Sequence, residues 1–339
     1  MQARAFITGI SGPEVSAAER EFIRRERPWG FILFKRNVET PTQVTRLVRQ
    51  LREAAAQPDA PVLIDQEGGR VQRLGPPHWP SYPPGARFGA IYDDDPGLGL
   101  AAARLGARLI AADLWGLGIS VDCLPLADVP VAGADAVIGD RAYGTRPEKV
   151  AAIARAVTEG LQLGGILPVL KHIPGHGRAS ADSHFRLPEV NTDQDELQAT
   201  DFAAFKSLAD LPMAMTAHVV FSAFDTVHPA TTSATIIEDV IRGVIGFPGL
   251  LMSDDVSMNA LSGSIAERTR AAFAAGCDVV LHCNGRLDEM VEVAAATPEL
   301  SGMAGQRAQK ALASRKAPQP FDRVAGRAEF DAMVGKTWT

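Results

Sequence analysis

Eight short, continuously apolar segments recur along the chain, and most are separated by segments with the periodicity of a helix. Apolar runs without polar alternation are typical of parallel strands that are covered on both faces. Eight such strands alternating with helices predict an α/β fold, a single (β/α)8 TIM-type barrel. A doubly wound open sheet is the alternative. The eight runs comprise residues 5–9, 30–34, 61–65, 118–122, 166–172, 213–218, 249–254 and 278–282.

Helical periodicity is clearest in residues 41–57, where Val44, Leu47, Val48 and Leu51 share one face. Elsewhere, a proline in the first turn or a glycine after the last turn marks the end of a helix. By these signals, further helices are predicted over residues 96–116, 150–163, 234–245 and 265–275.

A length of 339 residues suits one large barrel or two ordinary domains, and no shift in composition marks a linker. We therefore expect a single catalytic domain over residues 1–339, with a C-terminal extension from about residue 314. Residues 73–87 are rich in Pro and Gly, which predicts a long loop over the barrel mouth. On this loop, Trp79 and Tyr82 are interpreted either as an aromatic platform for a ligand or as packing residues.

Composition and charge narrow the range of partners. The net charge of −6, with both signs well mixed, argues against a nucleic-acid partner. No run approaches the roughly 20 apolar residues that a membrane span requires, so we expect no membrane partner. Three cysteines without a CxxC pair argue against a disulfide framework and favour a reducing, cytoplasmic setting. For the oligomeric state, we expect a monomer or a weak homo-oligomer.

Polar side chains gather at the carboxyl ends of four predicted strands. In a (β/α)8 barrel these ends face the active site, whatever chemistry is performed there. A buried charge without a partner is costly, so four polar strand ends indicate a shared polar cavity rather than four accidents. The side chains concerned are Asp65, Lys171, His172, His218, Asp254 and Asp255.

The loop after the fifth strand carries a candidate acid/base pair. Asp182 and His184 are two residues apart, so in an extended chain they project to the same side. A carboxylate that bonds an imidazole fixes its orientation and favours its protonated form. His184 is therefore a plausible general acid that later acts as a base.

The seventh strand delivers Asp254 and Asp255 into the same predicted cavity. A carboxylate near the anomeric carbon of a sugar can act as a nucleophile and form a covalent intermediate. The spacing of His172 and His176 would suit a metal on a helix, but Pro174 prevents that helix. The sequence has no nucleotide-binding glycine motif either, so we expect no metal and no cofactor. A metal-dependent barrel hydrolase that uses three of the histidines is the alternative.

Five motifs, in this order along the chain, resemble glycoside hydrolase family 3, and specifically its bacterial β-N-acetylhexosaminidases of the peptidoglycan-recycling type. The resemblance extends from about residue 5 to residue 290. The sequence departs from the family's commonest form of the catalytic loop at residues 178–180 and 185–186. The motifs comprise residues 62–73, 138–144, 171–177, 182–184 and 253–258.

The resemblance implies roles for single residues. It implies that Asp254 is the nucleophile, His184 the acid/base and Asp182 the partner of His184. Asp122, Asp128 and His218 receive no role from the sequence. Five further residues match those that hold the hydroxyl groups of the terminal sugar: Asp65, Arg73, Arg141, Lys171 and His172.

The implied reaction is hydrolysis of a terminal, non-reducing β-linked GlcNAc with retention, through a covalent glycosyl-enzyme. The implied small-molecule carbohydrate substrate is a muropeptide fragment, GlcNAc-1,6-anhydroMurNAc with or without peptide. A β-glucosidase or a glycoside phosphorylase of the same family is one alternative. A non-catalytic sugar-binding barrel is an alternative from another class of protein.

Overall fold

Eight parallel strands form the centre of the molecule, and each coincides with one of the eight apolar runs. The computed structural model describes residues 2–179, 183 and 187–335. The eight strands are β1 (Arg4–Thr8), β2 (Pro28–Leu33), β3 (Val62–Ile64), β4 (Val121–Asp122), β5 (Leu167–Pro168 and Leu170–Ile173), β6 (Met213–Thr216), β7 (Leu250–Asp255) and β8 (Val279–His282).

The strands follow one another around a closed barrel. β1 pairs with β2 on one side and with β8 on the other, where Phe6 lies opposite Val280. β5 closes the opposite side in two segments, because its first segment pairs with β4 and its second with β6. Between the segments, the amide of Val169 donates to the carbonyl oxygen of Leu124 at 2.8 Å. The predicted barrel is thus confirmed, and an open sheet is excluded.

Helices surround the barrel, and several of them start at a capping residue. Asp95, for example, accepts a hydrogen bond from the amide of Leu98 at 3.0 Å, just before Pro96 opens the fourth helix. No helix among the described residues is long and apolar enough to cross a bilayer. The α-helices are α1 (Ala17–Glu26), α2 (Pro41–Ala55), α3 (Gly85–Asp94), α4 (Pro96–Gly116), α5 (Pro147–Leu163), α6 (Gln194–Ala199), α7 (Asp201–Lys206), α8 (Ile265–Ala275), α9 (Leu287–Ala296), α10 (Gly302–Ala313) and α11 (Arg323–Val334).

One predicted helix is wound differently from the expectation. Residues 234–244 form a helix, with π-type hydrogen bonds over Ile236–Val244. Ser233 accepts a hydrogen bond from the amide of Ile236 at 3.2 Å, as its position before the helix suggested. Periodicity locates such a helix correctly but does not distinguish its winding, because the same apolar face is buried in both cases.

Two apolar layers explain why the strands are apolar on both faces. Phe6 packs in the layer between strands and helices, whereas its neighbour Ile7 packs in the layer inside the barrel. Ala308 and Ala311 of α10 join the inner layer, so this helix covers the amino-terminal end of the barrel. The inside of the barrel is therefore filled, and a ligand can enter only at the mouth formed by the carboxyl ends of the strands.

The C-terminal helix α11 packs onto the Pro- and Gly-rich segment. Phe330 is fully buried, and its ring lies 6.2 Å from that of Tyr82 and 6.3 Å from that of Phe88. The Tyr82 hydroxyl group donates to Asp113 at 2.8 Å. Tyr82 and Trp79 are both buried, so the packing interpretation holds for them rather than the ligand platform. A single domain over residues 1–339 stays a prediction.

Candidate active site

A cavity of about 340 Å³ opens at the carboxyl ends of the strands. Its volume is near the lower end of the roughly 300–1,000 Å³ that is usual for ligand pockets. The cavity brings together six of the eight site residues predicted from the sequence, and these are Asp65, Arg73, Arg141, Lys171, His172 and Asp254.

Asp65 follows β3 directly and joins two cations. Its carboxylate accepts hydrogen bonds from Arg73 and from Lys171 Nζ, each at 3.0 Å. Burial raises the pKa of Asp65, but the two cations more than offset this and leave the pKa well below its usual range. Asp65 therefore stays ionised at neutral pH.

Glu67 extends this chain of charges, and the sequence prediction missed it. Its carboxylate binds Arg141 through two hydrogen bonds, at 2.8 and 2.9 Å, and also lies 2.6 Å from Lys171 Nζ. Although burial raises it, these cations lower the pKa of Glu67 to about 2. The signal was the spacing from Asp65, because alternate residues of an extended strand point the same way. Glu67 is on the strand Gln66–Gly68, which only Asp65 separates from β3.

Lys171 is the centre of the network. It is almost fully buried, and it contacts both Asp65 and Glu67. Burial lowers the pKa of Lys171, but the two carboxylates raise it above its ordinary value. With Arg73 and Arg141 at its ends, the network has three cations and two carboxylates, arranged in alternation. Such paired ions are held in place before any ligand binds.

His172 and His176 follow Lys171 and are both anchored by Asp128. His172 Nδ1 lies 2.8 Å from Asp128 Oδ2, and the amides of both histidines donate to Oδ1. Nε2 of His176 lies 3.1 Å from the hydroxyl group of Ser183. Burial and the nearby His172 lower the pKa of His176 to about 4, so it is neutral at physiological pH. A cis peptide bond joins Lys171 to His172.

Asp254 lies at the end of β7 and lines the cavity. Its amide donates to Thr216 at 3.3 Å, and its Oδ1 accepts from the amide of Asp255 at 2.8 Å. Asp255 instead accepts from Ser257 in its own loop and from the amide of Cys283, which follows β8. Of the two adjacent carboxylates, Asp255 therefore braces the loop.

Three residues without a predicted role lie behind the cavity wall. His218 bridges the carbonyl oxygen of Asp255 and the hydroxyl group of Thr231. Asp128 anchors the two histidines. Asp122 is fully buried and accepts from the amide of Gln66. Burial raises the pKa of Asp122 well above its ordinary value.

The predicted acid/base pair, Asp182 and His184, lies outside the described residues. Ser183, the residue between them in sequence, lines the cavity. Across the described residues, no group of three His, Cys, Asp or Glu side chains is placed to hold a metal ion. His172 and His176 are each engaged by a protein partner instead, as the bonds to Asp128 and Ser183 show.

The chemistry of this site suits a small ligand that carries many hydroxyl groups. The cations and carboxylates of the network are already held in place, so they can donate hydrogen bonds to hydroxyl groups and accept from them without rearranging. A carboxylate at a strand end beside them is positioned to take part in cleavage of a glycosidic bond. Barrel and site together define the class of the protein as a glycoside hydrolase.

Comparison with known proteins gives the family. Residues 4–312 match the Glycosyl hydrolase family 3 N terminal domain. A beta-hexosaminidase of Alkalilimnicola ehrlichii is 39% identical over 280 residues, which cover 81% of this chain and 79% of that protein. A beta-hexosaminidase of Methylococcus capsulatus is 36% identical over 326 residues, covering 95% and 92%. The chain belongs to glycosyl hydrolase family 3.

A solved structure agrees with this result. NagZ from Neisseria gonorrhoeae, in complex with N-trifluoroacetyl-D-glucosamine, superposes with a TM-score of 0.83 at 31% identity. The match covers 98% of this chain and 96% of that one. The predicted resemblance to the β-N-acetylhexosaminidases of this family is confirmed, and the chain is an enzyme that hydrolyses glycosides.

Proposed function

We propose that this enzyme removes a terminal β-linked GlcNAc from its substrate with retention of configuration, with Asp254 as the nucleophile. The observation that carries the proposal is the position of Asp254 at a strand end in the cavity that the ion network lines. The relatives named above, which are beta-hexosaminidases and a protein complexed with an N-acylated glucosamine, support GlcNAc as the sugar.

A closed cavity favours attack on the end of a chain. The barrel below the mouth is filled by apolar side chains such as Ile7, Leu63 and Met252, each fully buried. A sugar that enters the cavity therefore cannot continue through the other side. Lys171 and Asp65, already joined to each other, would bind the hydroxyl groups of the non-reducing end. Arg73, Arg141 and His172 complete the proposed sugar-binding set.

The proposed reaction has two steps. His184, supported by Asp182, donates a proton to the glycosidic oxygen while Asp254 attacks the anomeric carbon and the aglycone leaves. His184 then deprotonates water, which displaces Asp254 and releases the sugar. Two inversions at one carbon give net retention. The support for His184 and Asp182 is their motif in the sequence.

The proposed natural substrate is a peptidoglycan fragment, GlcNAc-1,6-anhydroMurNAc with or without peptide. The motifs of the sequence support this choice. A cytoplasmic location belongs to the same proposal, and it is supported by Cys123, Cys277 and Cys283, which are all free thiols.

The test is hydrolysis of a chromogenic β-GlcNAc glycoside by the wild type and by Asp254→Asn. Loss of the nucleophile should lower kcat by at least about 1,000-fold. Asp288→Asn, at an exposed carboxylate that pairs with Arg286, is the matched control and should keep wild-type activity. Equal turnover by the wild type and Asp254→Asn would exclude this mechanism.

Two further measurements address the stereochemistry and the aglycone. Proton NMR during turnover should show the β-anomer of GlcNAc first, and the α-anomer first would contradict retention. Adding phosphate should leave free GlcNAc as the product; GlcNAc-1-phosphate would identify a phosphorylase. GlcNAc-1,6-anhydroMurNAc should be cleaved with a higher kcat/KM than the GlcNAc dimer, and the reverse order would contradict the proposed aglycone.

A further inference from the structure

Asp128 has a position that the reaction scheme does not use. It is fully buried behind the cavity wall. The segment that carries it runs beside β5, where the amide of Ala127 donates to the carbonyl oxygen of Lys171 at 2.8 Å. Its Oδ1 accepts from the amide of His172 at 3.2 Å and from the amide of His176 at 2.7 Å. Its Oδ2 lies 2.8 Å from Nδ1 of His172.

These contacts fix a proton on Nδ1 of the His172 ring. Burial raises the pKa of Asp128, but its contacts with His172 and His176 together lower it by more. The net pKa of Asp128 lies below its ordinary value, so the carboxylate is ionised. An ionised carboxylate only accepts hydrogen bonds, so Nδ1 of His172 must be protonated. In the neutral ring, Nε2 is then an unprotonated acceptor. It is also the ring nitrogen left for a ligand, because His172 lines the cavity.

This acceptor complements the donors beside it. The Lys171 ammonium group is a donor only, and it is held by Asp65 and Glu67. A sugar hydroxyl group both donates and accepts, so an adjacent donor and acceptor can satisfy it fully. If the ring of His172 took its other tautomer, Nε2–H would be a second donor, and the hydroxyl proton would lose its acceptor.

We propose that Asp128 is a positioning residue for glycoside hydrolysis, which holds the His172 imidazole in the orientation and tautomer that accept a hydroxyl group of the sugar. The same carboxylate fixes the turn between His172 and His176. The inference rests on the proposed contact between His172 and the sugar. Carboxylates that orient metal-binding histidines contribute about 10- to 100-fold to activity, and we expect a loss of similar size here.

Asp128→Asn tests the proposal with little change in shape. The amide oxygen of Asn can still accept from the two backbone amides, while its NH₂ group donates to Nδ1 of His172. The ring must then carry its proton on Nε2. We expect a folded enzyme whose kcat/KM for a chromogenic β-GlcNAc glycoside is about 10- to 100-fold lower. The chain has seven histidines, so ¹⁵N NMR of the labelled rings can follow the tautomer directly, with His172→Ala assigning the signal.

A double-mutant cycle separates positioning from a purely structural role. If Asp128 acts through His172, Asp128→Asn should cause no further loss in the His172→Ala background. A full additional loss in that background would overturn the proposal, as would wild-type kcat/KM for Asp128→Asn with the tautomer inverted. Wild-type kcat/KM for His172→Ala would instead disprove the sugar contact itself. The ¹⁵N NMR spectrum of the wild-type enzyme tests the proposal even if no variant folds. A proton on Nε2 of His172 in that spectrum would also overturn the proposal.

Discussion

Glu67→Gln is the most informative single substitution in the ion network. Gln has nearly the same shape as Glu but no charge, and it replaces one acceptor oxygen with a donor. In the wild type, both carboxylate oxygens of Glu67 bind Arg141, and one also binds Lys171. The variant would keep all three cations but only one carboxylate, Asp65, which pairs with Arg73 and Lys171. Arg141 would have no carboxylate partner left in this network.

Glu67→Gln should destabilise the fold by about 3 kcal/mol or more. Removing one partner of a buried ion pair costs about 3–5 kcal/mol, because the other charge stays buried without compensation. A carboxyl group whose pKa falls from 4.5 to about 2 on folding contributes about 3 kcal/mol at neutral pH. For 339 residues, the unfolding entropy is about 0.7 kcal/mol per degree. A loss of about 3 kcal/mol should therefore lower Tm by about 4 °C.

Thermal unfolding followed by calorimetry at pH 7 measures this difference. Glu53→Gln is the matched control, because Glu53 is exposed and pairs with Arg49 at 3.6 Å within one helix. Its Tm should stay within about 1.5 °C of the wild type, since exposed pairs contribute at most about 1 kcal/mol. Enzyme activity should fall for Glu67→Gln but not for the control Glu53→Gln, because only Glu67→Gln removes the group that orients Arg141 and Lys171.

The dependence on pH provides a second check. The pKa of Glu67 is lower in the folded than in the unfolded state, so its contribution is present above pH 4.5 and is lost as the pH falls toward 2. The stability difference between the wild type and Glu67→Gln should therefore be largest near neutrality and shrink below pH 4.5. Equal Tm values for the two proteins at pH 7, or a difference that grows on acidification, would refute the reasoning.

Three other perturbations have definite expected results. Gly85→Ala should lower kcat/KM by about 10- to 100-fold, because a Cβ at this position would collide with the carbonyl oxygen of Arg141. The control Gly116→Ala should leave kcat/KM unchanged, because the space around Gly116 is open. Phe330→Ala should lower Tm by about 4–7 °C, from about 3–5 kcal/mol for a buried aromatic side chain, and a smaller fall than 2 °C would contradict its role in packing. Dialysis against EDTA should leave activity unchanged, because no described cluster suits a metal ion, and loss restored by Zn²⁺ would favour the metal-dependent alternative.

The barrel and much of its site were predictable because both depend on local patterns. Apolar runs gave all eight strands, and in a parallel barrel every strand end points to the same mouth. Asp65, Lys171 and Asp254 therefore had to lie on one side of the molecule once the strands were known. Their convergence on one cavity followed from topology, without any knowledge of side-chain packing.

The rest depended on contacts between distant parts of the chain. Arg141 pairs with Glu67 across 74 positions, and Asp128 reaches His172 across 44. No periodicity within one segment reports such pairs. The C-terminal helix was expected only as an extension from about residue 314, because the burial of Phe330 depends on Tyr82 and Phe88, which lie far away in sequence.

Closure of the barrel has a consequence for synthesis of the protein. β1 leaves the ribosome before the other seven strands, yet one of its edges pairs with β8, in the register Phe6 to Val280 and Thr8 to His282. Until residue 282 emerges, the nascent sheet has open edges at β1 and at its growing end. Translation that stalls shortly before β8 should therefore leave a product prone to edge-to-edge association, whereas release after β8 removes both edges in one step.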